Sequence, residues 1–182
     1  MSTVTTLPFS RPFTRADLEL MPDDGHRYEL IDGTLVVSPA PSFAHQRAVA
    51  NLYVLLDHAC PPDLVVMLAP FAVGLADDTE VQPDLLVAPR SQFTAKDLPG
   101  PPLLAVEVLS PSTRRVDLLL KRDRLQAAGV PSYWLVDPDE PALTALELVV
   151  GSYVEVARVA GDQAWTATQP FAVTVVPSTL PR

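Results

Sequence analysis

Residues 103–109 read Leu-Leu-Ala-Val-Glu-Val-Leu, an apolar run broken by a single acid near its centre. Successive side chains of a strand point to opposite faces, so a run apolar at both parities belongs to a strand covered on both sides. Residues 84–88 (Asp-Leu-Leu-Val-Ala), bounded by Pro83 and Pro89, and residues 132–136 (Ser-Tyr-Trp-Leu-Val) are further buried strands. A sheet with such strands at its centre needs a layer above and a layer below.

Two helices are placed to supply those layers. Ser42 caps one expected over residues 43–59, where His45, Val49, Leu52 and Leu56 fall on one face. Residues 110–113 (Ser-Pro-Ser-Thr) break the central strand and cap a second helix over 114–128, which Gly129 and Pro131 stop. Before these, residues 14–21 read as a short helix capped by Thr14, and residues 26–39 as a hairpin around Asp32-Gly33. Residues 64–75 read as one strand broken or bent at Pro70, and 90–102 as a loop. After Asp137-Pro138 come two strands around Gly151-Ser152 and a last strand near 171–176. The expected fold class is α/β: a mixed central sheet flanked by helices, with an N-terminal hairpin and a C-terminal β extension.

The chain of 182 residues is 48% apolar, enough for one domain over 14–182 behind a tail of residues 1–13. The lone Cys60 excludes an intramolecular disulfide and a cysteine-cluster zinc site. Residues 1–12 lack a basic start followed by an apolar core, and the longest apolar run, 64–76, is too short to span a bilayer. A cytoplasmic protein with no membrane contact is expected.

The net charge of −9 opposes tight, nonspecific binding to nucleic acid. There is one local exception. Arg114, Arg115, Lys121, Arg122 and Arg124 face only Asp117 and Asp123, a local charge of +3. That helix either meets an anion or is an ordinary solvated face.

Glu107 is the most informative residue. An ionised carboxylate inside a core strand is costly unless it is paired with a cation or holds a metal. If strands 84–88 and 103–109 pair antiparallel with the loop leaving at 89 and returning at 102, Asp84 faces Glu107, with Cβ atoms roughly 4.5–5.5 Å apart. Two carboxylates that close repel one another and call for a cation between them, and oxygen ligands favour Mg²⁺, Mn²⁺ or Ca²⁺. Lys121 is one of only two lysines among the 13 basic residues. On its helix it shares a polar face with Arg114, Asp117 and Arg124 that can hang over the carboxylates, where an ammonium orients a water or steadies a phosphate. Its alternative is a surface lysine paired with Asp117 four residues earlier.

The segments 82–87 (Gln-Pro-Asp-Leu-Leu-Val), 105–113 (Ala-Val-Glu-Val-Leu-Ser-Pro-Ser-Thr), Lys121 and 129–137 (Gly-Val-Pro-Ser-Tyr-Trp-Leu-Val-Asp) together resemble the putative restriction-endonuclease family within the PD-(D/E)XK nuclease superfamily. Residues 28–33 and His45-Gln46 match its N-terminal half. The resemblance implies an αβββαβ core and a metal-dependent endonuclease of DNA. It implies Mg²⁺ or Mn²⁺ on Asp84 and Glu107, with Val108 adding its backbone carbonyl. The superfamily's usual lysine, two residues after the Glu, is Leu109 here, so the resemblance assigns its role to Lys121. Glu29, His45 and Gln46 are further candidates for the site. Arg114, Arg115 and Arg122 are candidates for phosphate contact, and a homodimer would suit a double-strand cutter. Two other readings stay open: a nuclease-fold protein that binds a partner or nucleic acid without cutting, and a hydrolase of another phosphate ester.

Overall fold

The computed structural model describes residues 11–111 and 114–182. In chain order the elements are α1 (Arg15–Leu18), β1 (Arg27–Ile31), β2 (Thr34–Ser38), α2 (Phe43–Ala59), β3 (Leu64–Leu68), β4 (Ala72–Ala76), β5 (Thr79–Val81) and β6 (Leu85–Pro89). There follow β7 (Asp97–Pro99), β8 (Leu104–Val108), a π-helical turn (Val116–Lys121) running into α3 (Arg122–Ala127), β9 (Ser132–Asp137), β10 (Ala142–Val149), β11 (Ser152–Ala160), β12 (Trp165–Ala167) and β13 (Val173–Val175).

The three apolar runs lie side by side in a six-stranded sheet of order β11-β10-β9-β8-β6-β3. Strands β8 and β9 are parallel, as the helical crossover between them requires, and the other neighbours are antiparallel. The chain order α2-β3-β6-β8-α3-β9 is the expected αβββαβ core. The register of β6 on β8 pairs Leu85 with Val106, Leu86 with Ala105 and Val87 with Leu104. Continued one step, it sets Asp84 opposite Glu107, as expected.

Alternation along the strands sorts the core into two layers. Leu85, Val87, Leu104, Val106 and Val108 face Ala48, Val49, Leu52 and Leu56 of α2, together with Val173 and Val175 of β13. Leu52 and Leu56 are wholly buried, and each stabilises the fold by about 1.5–3 kcal/mol. The opposite face presents Leu86, Ala105, Tyr133 and Leu135 to Leu125 of α3. Ile31, Val73, Val81 and Leu98 of a second sheet cover the same side. That sheet has five strands, in the order β2-β1-β5-β4-β7.

The hairpin β1-β2 turns at Asp32 (φ 52°) and Gly33 (φ 69°). Two positive φ values give the turn whose twist suits a tight hairpin. A Cβ on Gly33 would also lie 2.5 Å from that of Pro12. At Gly74 a Cβ would meet the Arg15 guanidinium at 2.5 Å. The gap lets Arg15 reach Glu80 (2.6 Å) and Asp97 (2.7 Å), fastening α1 to the second sheet.

The structure corrects several expectations. Residues 64–75 are broken, not bent, at Pro70, and the break also separates two sheets: β3 edges the six-stranded sheet, whereas β4 belongs to the other. Pro70, which lacks an N–H, lies in the crossing between them. The loop 90–102 contains β7, paired in parallel with β4. The helix expected over 114–128 has a π-helical stretch in its first half, and the one expected over 14–21 is confined to Arg15–Leu18. Strands β5 and β12 add to the elements expected. The tail 1–13 lies largely outside the described residues. Among the described residues no helix is long and apolar enough to cross a membrane.

Candidate metal centre

The two sheets and the π-helical turn meet around a buried knot of charge. β1 contributes Arg27 and Glu29, two residues apart and therefore on one face of the strand. Asp84 immediately precedes β6, Glu107 lies within β8, and the π turn brings in Asp117 and Lys121. Glu29, Asp84, Glu107, Asp117 and Lys121 are all 3% exposed or less.

Asp84 is saturated on one oxygen. Its Oδ2 accepts the Val108 N–H at 2.8 Å and lies 3.2 Å from His45 Nε2, while Oδ1 accepts from the Arg27 guanidinium at 2.9 Å. Burial opposes its charge, but His45, Arg27 and Lys121 outweigh that opposition and hold it well below the usual carboxylate range.

Glu107 has the opposite environment. Burial dominates and pushes its carboxyl well above the usual range; Lys121 opposes the rise, and Asp117, Asp84 and Glu29 reinforce it. Its Oε1 accepts from Lys121 Nζ at 3.0 Å. Its Oε2 is buried with no hydrogen-bond partner among the described residues.

Lys121 sits among three carboxylates: Glu29 at 2.9 Å, Glu107 at 3.0 Å and Asp117 at 3.5 Å. Burial disfavours its charge, yet Glu107, Glu29 and Asp117 more than compensate and raise its pKa. Glu29 also accepts the Gln82 N–H at 2.7 Å and lies 3.6 Å from Arg27 Nε. The Tyr133 hydroxyl donates to the Asp117 carbonyl at 2.9 Å, so a partner from β9 steadies the irregular turn.

A cleft of about 1400 Å³ opens beside this knot, with Arg27, His45, Gln46, Gln82 and Asp84 among its lining. Glu107 and Lys121 are not on its wall; they lie behind Asp84 and Arg27. Four acidic side chains (Glu29, Asp84, Glu107, Asp117) stand against two permanent cations (Arg27, Lys121), an excess of acids. Among the described residues no group of three or more His, Cys, Asp or Glu side chains is arranged to hold a metal ion.

Of the residues singled out from sequence, Asp84, Glu107, Lys121, Glu29 and His45 come together in this knot, and Gln46 is exposed on the cleft wall. Val108 touches it through its N–H on Asp84. The candidate phosphate contacts lie elsewhere: Arg114 is exposed and paired with Asp137 at 2.7 Å, Arg115 is exposed, and Arg122 is half-buried near Tyr153. Sequence reasoning missed Arg27 and Gln82; it placed Asp117 on the polar face that could hang over the carboxylates, and Asp117 is buried there 3.5 Å from Lys121. Arg27 carried a usable signal, since in a strand it shares a face with Glu29.

Fold and site together define a protein of the restriction-endonuclease-like nuclease fold. A crystal structure of a putative nuclease belonging to DUF820 from Anabaena variabilis superposes with a TM-score of 0.75 at 18% identity, over 93% of this chain and 97% of the other. Residues 15–178 match the family model described as putative restriction endonuclease, and the chain belongs to that family. No curated protein matches it in sequence.

Proposed function

We propose that the protein is an endonuclease that hydrolyses DNA phosphodiester bonds with a divalent metal held by Asp84 and Glu107. One observation carries the reading: the β6–β8 register, continued one step, sets Asp84, on the cleft wall, opposite Glu107, whose Oε2 is buried without a hydrogen-bond partner among the described residues. A buried oxygen with nothing to accept is costly, and a cation removes that cost. A carboxylate pair is the kind of donor set that Mg²⁺ uses together with waters and a substrate phosphate. Asp84, Glu107 and the Val108 carbonyl would hold it. Bound there, Mg²⁺ or Mn²⁺ supplies Lewis acidity toward the phosphate and lowers the pKa of a water.

The protein's own groups prepare the site. Asp84, kept strongly acidic, is anionic across the physiological range. Lys121 aims the Glu107 carboxylate and favours its charged form against the desolvation that opposes it. His45 and the Val108 N–H fix the Asp84 rotamer through Oδ2. The cleft supplies room for the substrate strand.

A second reading, a nuclease fold that binds without cutting, draws on the wholly buried Lys121, whose ammonium is committed to three carboxylates. One experiment separates the two. Supercoiled plasmid is incubated with the protein and Mn²⁺, then with the Glu107→Gln protein. Nicking or linearisation that Glu107→Gln abolishes supports the endonuclease; DNA binding without cleavage by the wild type supports the second reading.

A further inference from the structure

Resting on the metal reading above, we propose that Arg27 occupies the metal's place on Asp84 while the site is empty, and passes to the substrate phosphate when a divalent ion takes that oxygen. The argument starts from Asp84. Its Oδ2 already accepts the Val108 N–H and contacts His45, so the oxygen available to a metal is Oδ1. Arg27 sits on that atom at 2.9 Å, with its Nε 3.6 Å from Glu29. Glu29, Asp84 and Glu107 all act on the guanidinium and raise its pKa, although burial opposes them. Arg27 is thus the internal counter-ion at the position where the metal would bring charge.

The same residue is built to leave. Its side chain is 20% exposed and lines the cleft, whereas Lys121 is 1% exposed and lies behind it. Its remaining bond is to the Gln82 carbonyl, at a long 3.3 Å. A divalent ion on Asp84 would repel the guanidinium beside it, and the cleft that Arg27 lines would give the side chain room to turn toward a phosphate. A planar fork of donors there matches two oxygens of a phosphodiester, which a lysine's point charge does not. Lys121 cannot serve in its place, because its ammonium is committed to three carboxylates.

The test uses the full chain with Arg27→Gln, and Mn²⁺ alone as the first probe. Calorimetric titration of the metal-free proteins should show Mn²⁺ binding to Arg27→Gln at least threefold tighter than to the wild type. A single-stranded oligonucleotide with Ca²⁺ in place of Mn²⁺ is the second probe; its affinity should fall about tenfold, with a log–log salt slope shallower by about one, the value of one lost phosphate contact. Equal or weaker Mn²⁺ binding by the variant overturns the counter-ion half, and unchanged oligonucleotide affinity overturns the phosphate half. Absence of Mn²⁺ binding in the wild type sinks the metal reading and this inference with it, whereas wild-type binding that Arg27→Gln leaves unchanged sinks this inference alone. If Arg27→Gln fails to fold, Arg27→Lys takes its place: it keeps the charge but loses the fork, so Mn²⁺ binding should stay near the wild-type value while the oligonucleotide affinity falls, and an unchanged oligonucleotide affinity overturns the inference.

Discussion

Lys121 and Glu107 show how differently two buried charges can be supported. Lys121 has three carboxylates within 3.5 Å and is held charged by them. Removing it leaves Glu29, Glu107 and Asp117 buried without their shared cation. Lys121→Ala should therefore cost about 3–5 kcal/mol of stability, the usual consequence of taking one partner from a buried ion cluster. Urea unfolding would check it, and a loss under about 1 kcal/mol would mean that the carboxylates take up protons instead. Glu107 has a raised carboxyl, so its folded form binds protons more tightly than its unfolded form. Its contribution is then fully present below the ordinary value of 4.5 and is lost as pH rises toward the raised folded value. Thermal melts of the metal-free protein from pH 5 to 8 should show stability falling with pH, and the fall should be smaller in Glu107→Gln. Asp84 runs the other way: its depressed carboxyl gives stability present above the ordinary 3.8 and lost in acid. Identical pH slopes for the two proteins would show that Glu107 is ionised without cost. At this scale the sequence was informative wherever a charge broke an apolar strand, which is why Asp84 and Glu107 stood out. Arg27 did not, because its importance depends on a second sheet packing against the first.

The elements explain why that second sheet was hard to foresee. Its strands β5 and β7 have three residues each, too few for alternation to register. β3 and β4 sit on either side of Pro70 and looked continuous, because both are apolar and nothing local says that the chain changes sheets. Ser42 with α2, and Asp32-Gly33 with the hairpin, were legible because capping and turn chemistry are local. The π-helical turn was not legible. Its wide turn is held from outside by the Tyr133 hydroxyl on the Asp117 carbonyl, and π turns concentrate at functional sites. Tyr133 is wholly buried, so Tyr133→Phe leaves that carbonyl with no hydroxyl to accept from. The expected cost is about 1–3 kcal/mol in urea unfolding. Because the turn carries Lys121, Mn²⁺ affinity should weaken as well, and a variant with unchanged stability and unchanged affinity would show that the hydroxyl does not hold the turn.

For the whole molecule the open question is how a chain of net charge −9 would meet a polyanion. The basic stretch 114–124 does not act as a free patch. Arg114 is paired with Asp137, Arg124 Nε donates to Asp32 at 2.8 Å, and Lys121 is buried. Arg115 and Arg122 point elsewhere than the cleft wall, which Arg27 shares with Asp84 and Glu80. Few phosphates can be neutralised at once, so long-range attraction to duplex DNA should be weak. Each neutralised phosphate contributes about −0.9 to the slope of log affinity against log salt concentration. If Arg15, Arg27 and Lys96, which line the cleft, each meet one phosphate, the slope for duplex DNA with Ca²⁺ should be no steeper than about −3. Fluorescence anisotropy at a series of salt concentrations measures it directly. A slope near −6 or beyond would require cations that one copy of this surface does not present together, and would point to a second subunit completing the interface. A shallow slope would mean that divalent ions at Asp84 and Glu107, rather than a basic surface, supply most of the charge that draws the substrate in. Binding should then weaken sharply when the metal is removed with EDTA, even in modest salt.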